Sequence, residues 1–257
     1  MHIVVFTRST PDTAAKVEVN GSGQVTWGDA ATVVNPWDEY ALEEALLRAK
    51  DAGGKTTVIA IGPEMHNEAL KHSLAMGFDQ AIRVWDAALE GADGLAYATA
   101  AAAAVKKLGD VNLVIFGRES VDVGTDQHIY QTARKLGWTM LSCVAKIHSL
   151  DASSIKAERL LEEGKQIVTS KLPAVVSVMK DINEPRYPSF IGIRKASKAT
   201  IPEWSLADLG VLLPAQGAKV VGYKNLPPRD TRFELIEGTP QEQAKKLVDK
   251  LLEEKVL

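Results

Sequence analysis

Short, mainly apolar runs recur at regular spacing through the first half of this chain. Residues 2–6, 56–62, 81–85 and 112–117 lack the polar alternation of a half-solvated strand. That predicts strands buried on both faces of a parallel sheet. Between them the pattern turns helical. Residues 35–50 open on Asn35, able to cap, with Pro36 at the first helical position and Asp38 and Glu39 at the positive end of the dipole. Residues 64–76 follow, stopped by Gly77, and then 94–108, so rich in alanine that they must lie close against the sheet. A further helix is expected to run to about Leu136. Strands and helices alternating in this rhythm imply right-handed crossovers and an α/β fold: a doubly wound, mostly parallel, Rossmann-like sheet.

Other stretches break the rhythm. Residues 14–27 read as a hairpin turning at 20–23, and Gly21 and Gly23 there lack the third glycine of a dinucleotide fingerprint. Beyond Trp138, residues 155–161 and 165–170 form an added hairpin around Glu163 and Gly164, and 174–179 return to the sheet as a buried strand. Residues 183–204 then leave it. Pro185 and Pro188 fix φ, remove donors and bias their predecessors away from the helical region, so neither a regular strand nor a helix is expected there. Residues 204–218 are apolar but broken by Gly210, Pro214 and Gly217, and 227–230 are linker-like. Residues 239–254 form an amphipathic helix capped by Thr239, with Leu247, Val248, Leu251 and Leu252 in one stripe. The expected division is an α/β domain over 1–222, with 183–204 protruding, and a tether and helical arm over 223–257. The arm's stripe docks on its own domain or on a partner subunit; periodicity does not choose.

Composition narrows the function. The chain of 257 residues is 46% hydrophobic and 25% charged, ordinary for a globular protein. A net charge of −3 argues against a general nucleic-acid binder. One cysteine, Cys143, excludes internal disulfides and Cys-rich metal sites and fits a reducing compartment. Residues 1–6 lack the basic and long apolar regions of a signal peptide, and no run reaches transmembrane length. The expectation is a cytoplasmic protein without direct membrane insertion.

Candidate chemistry lies at the strand ends. The first strand empties into the polar residues 7–12, at the carboxyl edge where open α/β sheets bind ligands. After the strand at 112–117 come Gly117, Asp122, Gly124, Thr125, Asp126 and Gln127, then a helix. Glycines, a capping Thr125 or Asp126 and free helix-start amides suit an anion, although the same loop can serve structure alone. It is not a Walker loop, because no Gly-Lys-Ser/Thr follows. The five histidines have no metal-ligand spacing, Ser120 is in no nucleophile elbow, and Glu43 and Glu44 read as a solvated helix surface. Trp37, in a first helical turn, is core or a ring presented at the sheet edge. In 183–204, Tyr187, Phe190, Ile191 and Ile193 are either docked back on their own domain or exposed for a partner. In the second case Phe190 is the anchor, and Arg194, Lys195 and Lys198 steer an acidic surface. No catalytic constellation emerges.

The run Asn183, Glu184, Pro185, Arg186, Tyr187 with its apolar-then-basic continuation resembles the β subunit of electron-transfer flavoproteins. So do residues 11–16, 35–39, 74–77 and 172–176, and the Pro227 tether with its helix, so that the resemblance covers nearly the whole chain. It implies an electron carrier rather than an enzyme, paired with an α subunit that holds the redox FAD. The pair would take electrons from flavin dehydrogenases, such as acyl-CoA dehydrogenases, and pass them to a membrane quinone reductase. The β subunit would hold AMP, or a second FAD in electron-bifurcating members, which residues 11–16 resemble. The implied cofactor contacts are Phe6, Thr7, Arg8, Ser9, Asn35, Trp37, Gly62, Asp122, Val123, Gly124, Thr125, Asp126 and Gln127. The implied partner contacts are Arg186, Tyr187, Phe190, Ile191, Arg194, Lys195 and Lys198. Phe190 falls where the family usually has a leucine, Val123 where it has a second loop acid, and Ile129 where it tends to have glycine. A β-branched Ile129 is expected to narrow the backbone approach and so to favour AMP. The rivals are an adenine-nucleotide-hydrolysing or adenylating enzyme, and a nucleotide-sensing stress-type homodimer of similar fold.

Overall fold

The computed structural model describes residues 1–227 and 233–256. The chain divides into two units, Met1–Tyr223 and Lys224–Leu257. In the first unit, strand β1 (His2–Thr7) is followed by β2 (Ser9–Pro11), the small hairpin β3 (Glu18–Val19) and β4 (Val25–Thr26), and β5 (Thr32–Val34), which pairs antiparallel with β2. Helix α1 (Pro36–Ala52), β6 (Lys55–Ile61), α2 (Asn67–Met76), β7 (Gln80–Val84), α3 (Gly94–Leu108), β8 (Leu113–Phe116) and α4 (Gln127–Leu136) complete the alternating part. Then come β9 (Thr139–Leu150), β10 (Ser154–Leu161), β11 (Gly164–Lys171), β12 (Ala174–Val178), α5 (Phe190–Ala196), β13 (Glu203–Trp204) and α6 (Leu206–Leu209).

One nine-stranded sheet runs in the order β11-β10-β9-β12-β8-β1-β6-β7-β13. From β9 to β13 every pairing is parallel; β10 and β11 add an antiparallel edge. Two cores follow from the two faces of β1. Ile3 and Val5 pack with Ala41, Leu42 and Ala45 of α1 and Leu70 of α2. Val4 and Phe6 pack with Ala100, Ala101 and Ala104 of α3 and Ile129 of α4. The alanines let α3 lie close to the sheet, as their spacing predicts.

Several expectations need correcting. Residues 64–76 are a 3₁₀ turn, Glu64–His66, running into α2. Asn35 starts α1 without a side-chain cap, because its amide is bonded elsewhere. The segment 183–204 is not irregular: it carries α5, which Ser189 caps by accepting from the Gly192 N–H, and β13 at the sheet edge. The prolines only delay the helix until both are past. Strand β9 has no counterpart in the apolar pattern. Its register against β12 shifts between Val176 and Val178, and Cys143 there takes φ +55°, so a bulge breaks the alternation that would have revealed it.

In the second unit, α7 (Pro240–Glu253) has the expected cap, with the Thr239 hydroxyl and the Glu242 carboxylate each serving the other's backbone N–H. Leu247, Val248 and Leu252 of its stripe are exposed. Of the expected linker at 227–230, only Pro227 falls among the described residues.

Candidate functional site

The sheet's connections place a crevice beside β1. From β1 the chain winds through α1, β6, α2 and β7 to one side, then α3 returns it to β8 on the other. Strand order therefore reverses between β1 and β8, and ligands of open α/β sheets bind at the carboxyl ends of such a pair. Phe6 and Phe116, from the ends of these strands, stack with centroids 4.9 Å apart. His128 of α4 meets Phe116 edge-on at 5.9 Å, and Tyr97 of α3 closes on His128 at 4.8 Å.

The loop after β8 is held against the start of α1. A Cβ on Gly117 would lie 2.6 Å from the Trp37 carbonyl carbon, so only glycine allows this approach. Asn35 uses both ends of its amide on the loop: Nδ2–H donates to the Glu119 carbonyl (2.9 Å) and Oδ1 accepts from the Val121 N–H (3.1 Å). The Ser120 N–H donates to the Thr125 carbonyl (3.1 Å), closing a turn whose tip carries Asp122, Val123 and Gly124. Arg8 reaches across to Asp122 at 2.8 Å. Its Nε is buried and makes no hydrogen bond among the described residues.

On the other side of Arg8 opens a cleft of about 340 Å³ lined by Arg8, Gly62, His66, Trp85, Asp93 and Tyr97, among others. The His66 Nδ1 accepts from the Ser9 N–H (3.2 Å), which leaves the ring proton on Nε2. Burial, and then the positive charge of Arg8, lower His66 to about 3 and His128 to about 4, so both rings are neutral near pH 7. Burial pushes the Asp38 carboxyl up to about 7, against the pull of Asn35 and of the Arg8 charge. Directly between Phe6, Asp38, Gly117 and Ile129 there is only about 10 Å³, room for at most about one water.

Of the sequence-predicted cofactor residues, Phe6, Thr7, Arg8, Asn35, Trp37 and Asp122 converge on this edge, and Gly62 lines the cleft. Ser9 turns away: its hydroxyl donates to the Met65 carbonyl and accepts from the Ala69 N–H, pinning the start of α2. Val123, Gly124 and Gln127 are exposed, and Asp126 precedes α4 without a side-chain cap. Ile129 does not narrow the rim; it is buried at the floor of the crevice. Asp38, His66, Tyr97 and His128 were not expected site residues: Asp38 was read as a helix-start charge and the histidines as lacking metal-ligand spacing. They come from separate helices, or from the turn before one, and share no spacing. Their only sequence signal was being polar or aromatic near a helix start that follows a strand.

The second candidate surface is the segment before and through α5. Tyr187, Phe190 and Ile191 are 97%, 83% and 80% exposed. Tyr187 precedes α5, while Phe190 and Ile191 project from it, and its Gly192 lies so close to the Ala75 carbonyl of α2 that any side chain would displace it. Glu43 and Glu44 are not solvated, as the sequence suggested, but buried beneath this segment. Glu43 receives Arg186 in a two-pronged pair, Nε to Oε2 at 2.7 Å and Nη2 to Oε1 at 2.8 Å, and also accepts the Arg186 backbone N–H at 3.2 Å. The Asn183 amide donates to Glu44 Oε2 and to the Tyr40 carbonyl, both at 3.0 Å.

No group of His, Cys, Asp and Glu among the described residues could hold a metal ion, and no helix there is long and apolar enough to cross a membrane. The electron transfer flavoprotein domain matches residues 25–209 of the chain. Protein FixA of Azorhizobium caulinodans is 34% identical over 82% of this chain and 77% of its own. CarD, a subunit of the caffeyl-CoA reductase–Etf complex of Acetobacterium woodii, is 33% identical over the full length of both. The electron transfer flavoprotein subunit beta of Bacillus subtilis is 31% identical over 99% of this chain and 98% of its own.

Proposed function

The chain belongs to the electron transfer flavoprotein family, among its β subunits, and from that premise we propose that it is the β half of a heterodimeric electron carrier. The α subunit carries the redox FAD, which supplies the electron-accepting chemistry when bound. Electrons arrive from a flavin dehydrogenase, of which the acyl-CoA dehydrogenases are the expected class, and leave to a quinone reductase. CarD, named for a caffeyl-CoA reductase complex, favours an acyl-CoA-handling flavoenzyme as partner. The observation that carries this reading is the exposed aromatic and aliphatic face of α5, seated on helix α2. The stripe on α7 serves the α subunit, and the protein works in the cytoplasm.

We infer that the crevice takes an adenine nucleotide. The buried Arg8 Nε, without a hydrogen-bond partner among the described residues, fits a phosphate, as do the start of α4 and those amides of the 120–127 loop not already spent on Thr125, Asn35 and Ser120. On the cleft side of Arg8, His66 Nε2–H is a further donor. AMP fits best: a cleft of about 340 Å³ lies at the small end of the roughly 300–1,000 Å³ range of ligand sites, and FAD is more than twice the size of AMP. A second FAD is the alternative, because residues 11–16 resemble bifurcating members. Purifying the heterodimer and extracting its nucleotides decides between them. One FAD with one AMP is expected; two FAD without AMP would overturn AMP.

Trp37 supplies a separate test. Its ring is partly exposed and lies 5.2 Å from the Arg118 guanidinium, at the edge where the α subunit's flavin is expected. Trp37→Ala should shift the flavin absorption and potential of the heterodimer. Its melting temperature should fall by only a few degrees, about 2–4 °C per kcal/mol at this size. An unchanged flavin with a large fall in melting temperature would make Trp37 a packing residue.

A further inference from the structure

We propose that Glu43 and Glu44 form a clamp that sets the direction in which α5 presents Phe190, making Arg186 and Asn183 positioning residues for partner docking rather than contacts with the partner. This rests on the reading of α5 as the docking surface. A two-pronged Arg–carboxylate pair fixes both distance and plane, unlike a single ion contact. Here it is reinforced by a third bond from the Arg186 backbone N–H to the same carboxylate. Asn183 adds a second fastening to Glu44, whose other oxygen lies 3.0 Å from Arg48. Pro185 lies between the two fastenings and Pro188 in the short stretch from Arg186 to α5, so little freedom remains once both ends are held. At the far end, Gly192 seats α5 on α2.

Arg186 and Asn183 explain how α1 can bury its adjacent acids Glu43 and Glu44. Glu43 is 4% and Glu44 2% exposed, and burying an ionised group without a partner is costly. Arg186, in contrast, keeps 42% of its side chain exposed. Its guanidinium is directed inward by the two bonds to Glu43. A residue devoted to steering a partner would leave that fork free.

Arg186→Lys tests the clamp, because it keeps the charge but loses the fork. In the heterodimer, amide hydrogen exchange over residues 187–198 should speed up while flavin content is unchanged. The KM for an acyl-CoA dehydrogenase, reduced by its acyl-CoA, should rise about tenfold with kcat preserved, because the partner must now order the segment on binding. Glu43→Gln should act in the same direction. In a Phe190→Ala background, Arg186→Lys should add almost nothing, since both act through one presented ring. If its effect instead adds in full and the salt dependence of the rate changes, Arg186 touches the partner directly and the clamp is wrong. Unchanged exchange at 187–198 in Arg186→Lys, with Phe190→Ala still impaired, overturns the clamp alone. A Phe190→Ala heterodimer as fast as the parent would overturn the docking reading itself.

Discussion

Phe190→Ala is expected to cut electron transfer from a flavin dehydrogenase about 30-fold, corresponding to about 2 kcal/mol for truncation of a central interfacial aromatic. The ring is 83% exposed and lies in the first turn of α5, so its removal leaves no cavity in the described structure. Ser189 still caps the helix and Gly192 still lies against α2. The melting temperature and flavin content should therefore stay at parental values. Rates measured against dehydrogenase concentration, alongside thermal unfolding, check both halves. Early melting with undiminished coupling would show that Phe190 stabilises the fold instead.

Asp38→Asn should stabilise the protein increasingly as pH rises. Burial raises the folded-state pKa of Asp38 from 3.8 to about 7. Between those values the unfolded chain gives up the proton and the folded chain keeps it. Stability falls there by about 1.36 kcal/mol per pH unit, so ionisable Asp38 costs roughly a few kcal/mol by neutral pH. Below about pH 4 both states are protonated and the cost vanishes. His66 and His128 work in the opposite direction: their lowered values give stability that is lost as pH falls from 6.5 toward about 3 and 4. That loss is common to parent and variant and cancels in their difference. Unfolding midpoints at several pH values should show the variant's advantage growing from pH 4 to 7 and then levelling off. A difference independent of pH would mean that Asp38 stays ionised, balanced by Arg8.

The parallel sheet was legible because each of its central strands is buried on both faces and therefore written as a mainly apolar run without polar alternation. Residues 94–108 matched α3 to the residue, since alanine content and close packing point the same way. β9 was hidden because its bulge at Cys143 destroys the period of two. The site was legible in part. Arg8, Asn35 and Asp122 sit at strand ends and helix starts, where the chain itself marks an edge. Asn35 illustrates the limit: its identity suited a helix cap, and the fold uses it to tie a loop 84 positions away to α1.

Local sequence determined the central strands, most of the long helices and the amphipathic stripe of α7, because each depends on neighbours within a few turns of the chain. Tertiary structure alone decided which polar side chains meet. His66, Tyr97 and His128 gather around Arg8 only because the strand order reverses at β1. Glu43 and Glu44 changed from apparently solvated acids to buried anchors because a segment more than a hundred residues away lies over them. Burial and pairing of a charge depend on what the rest of the chain brings to it, and that is fixed only by the fold.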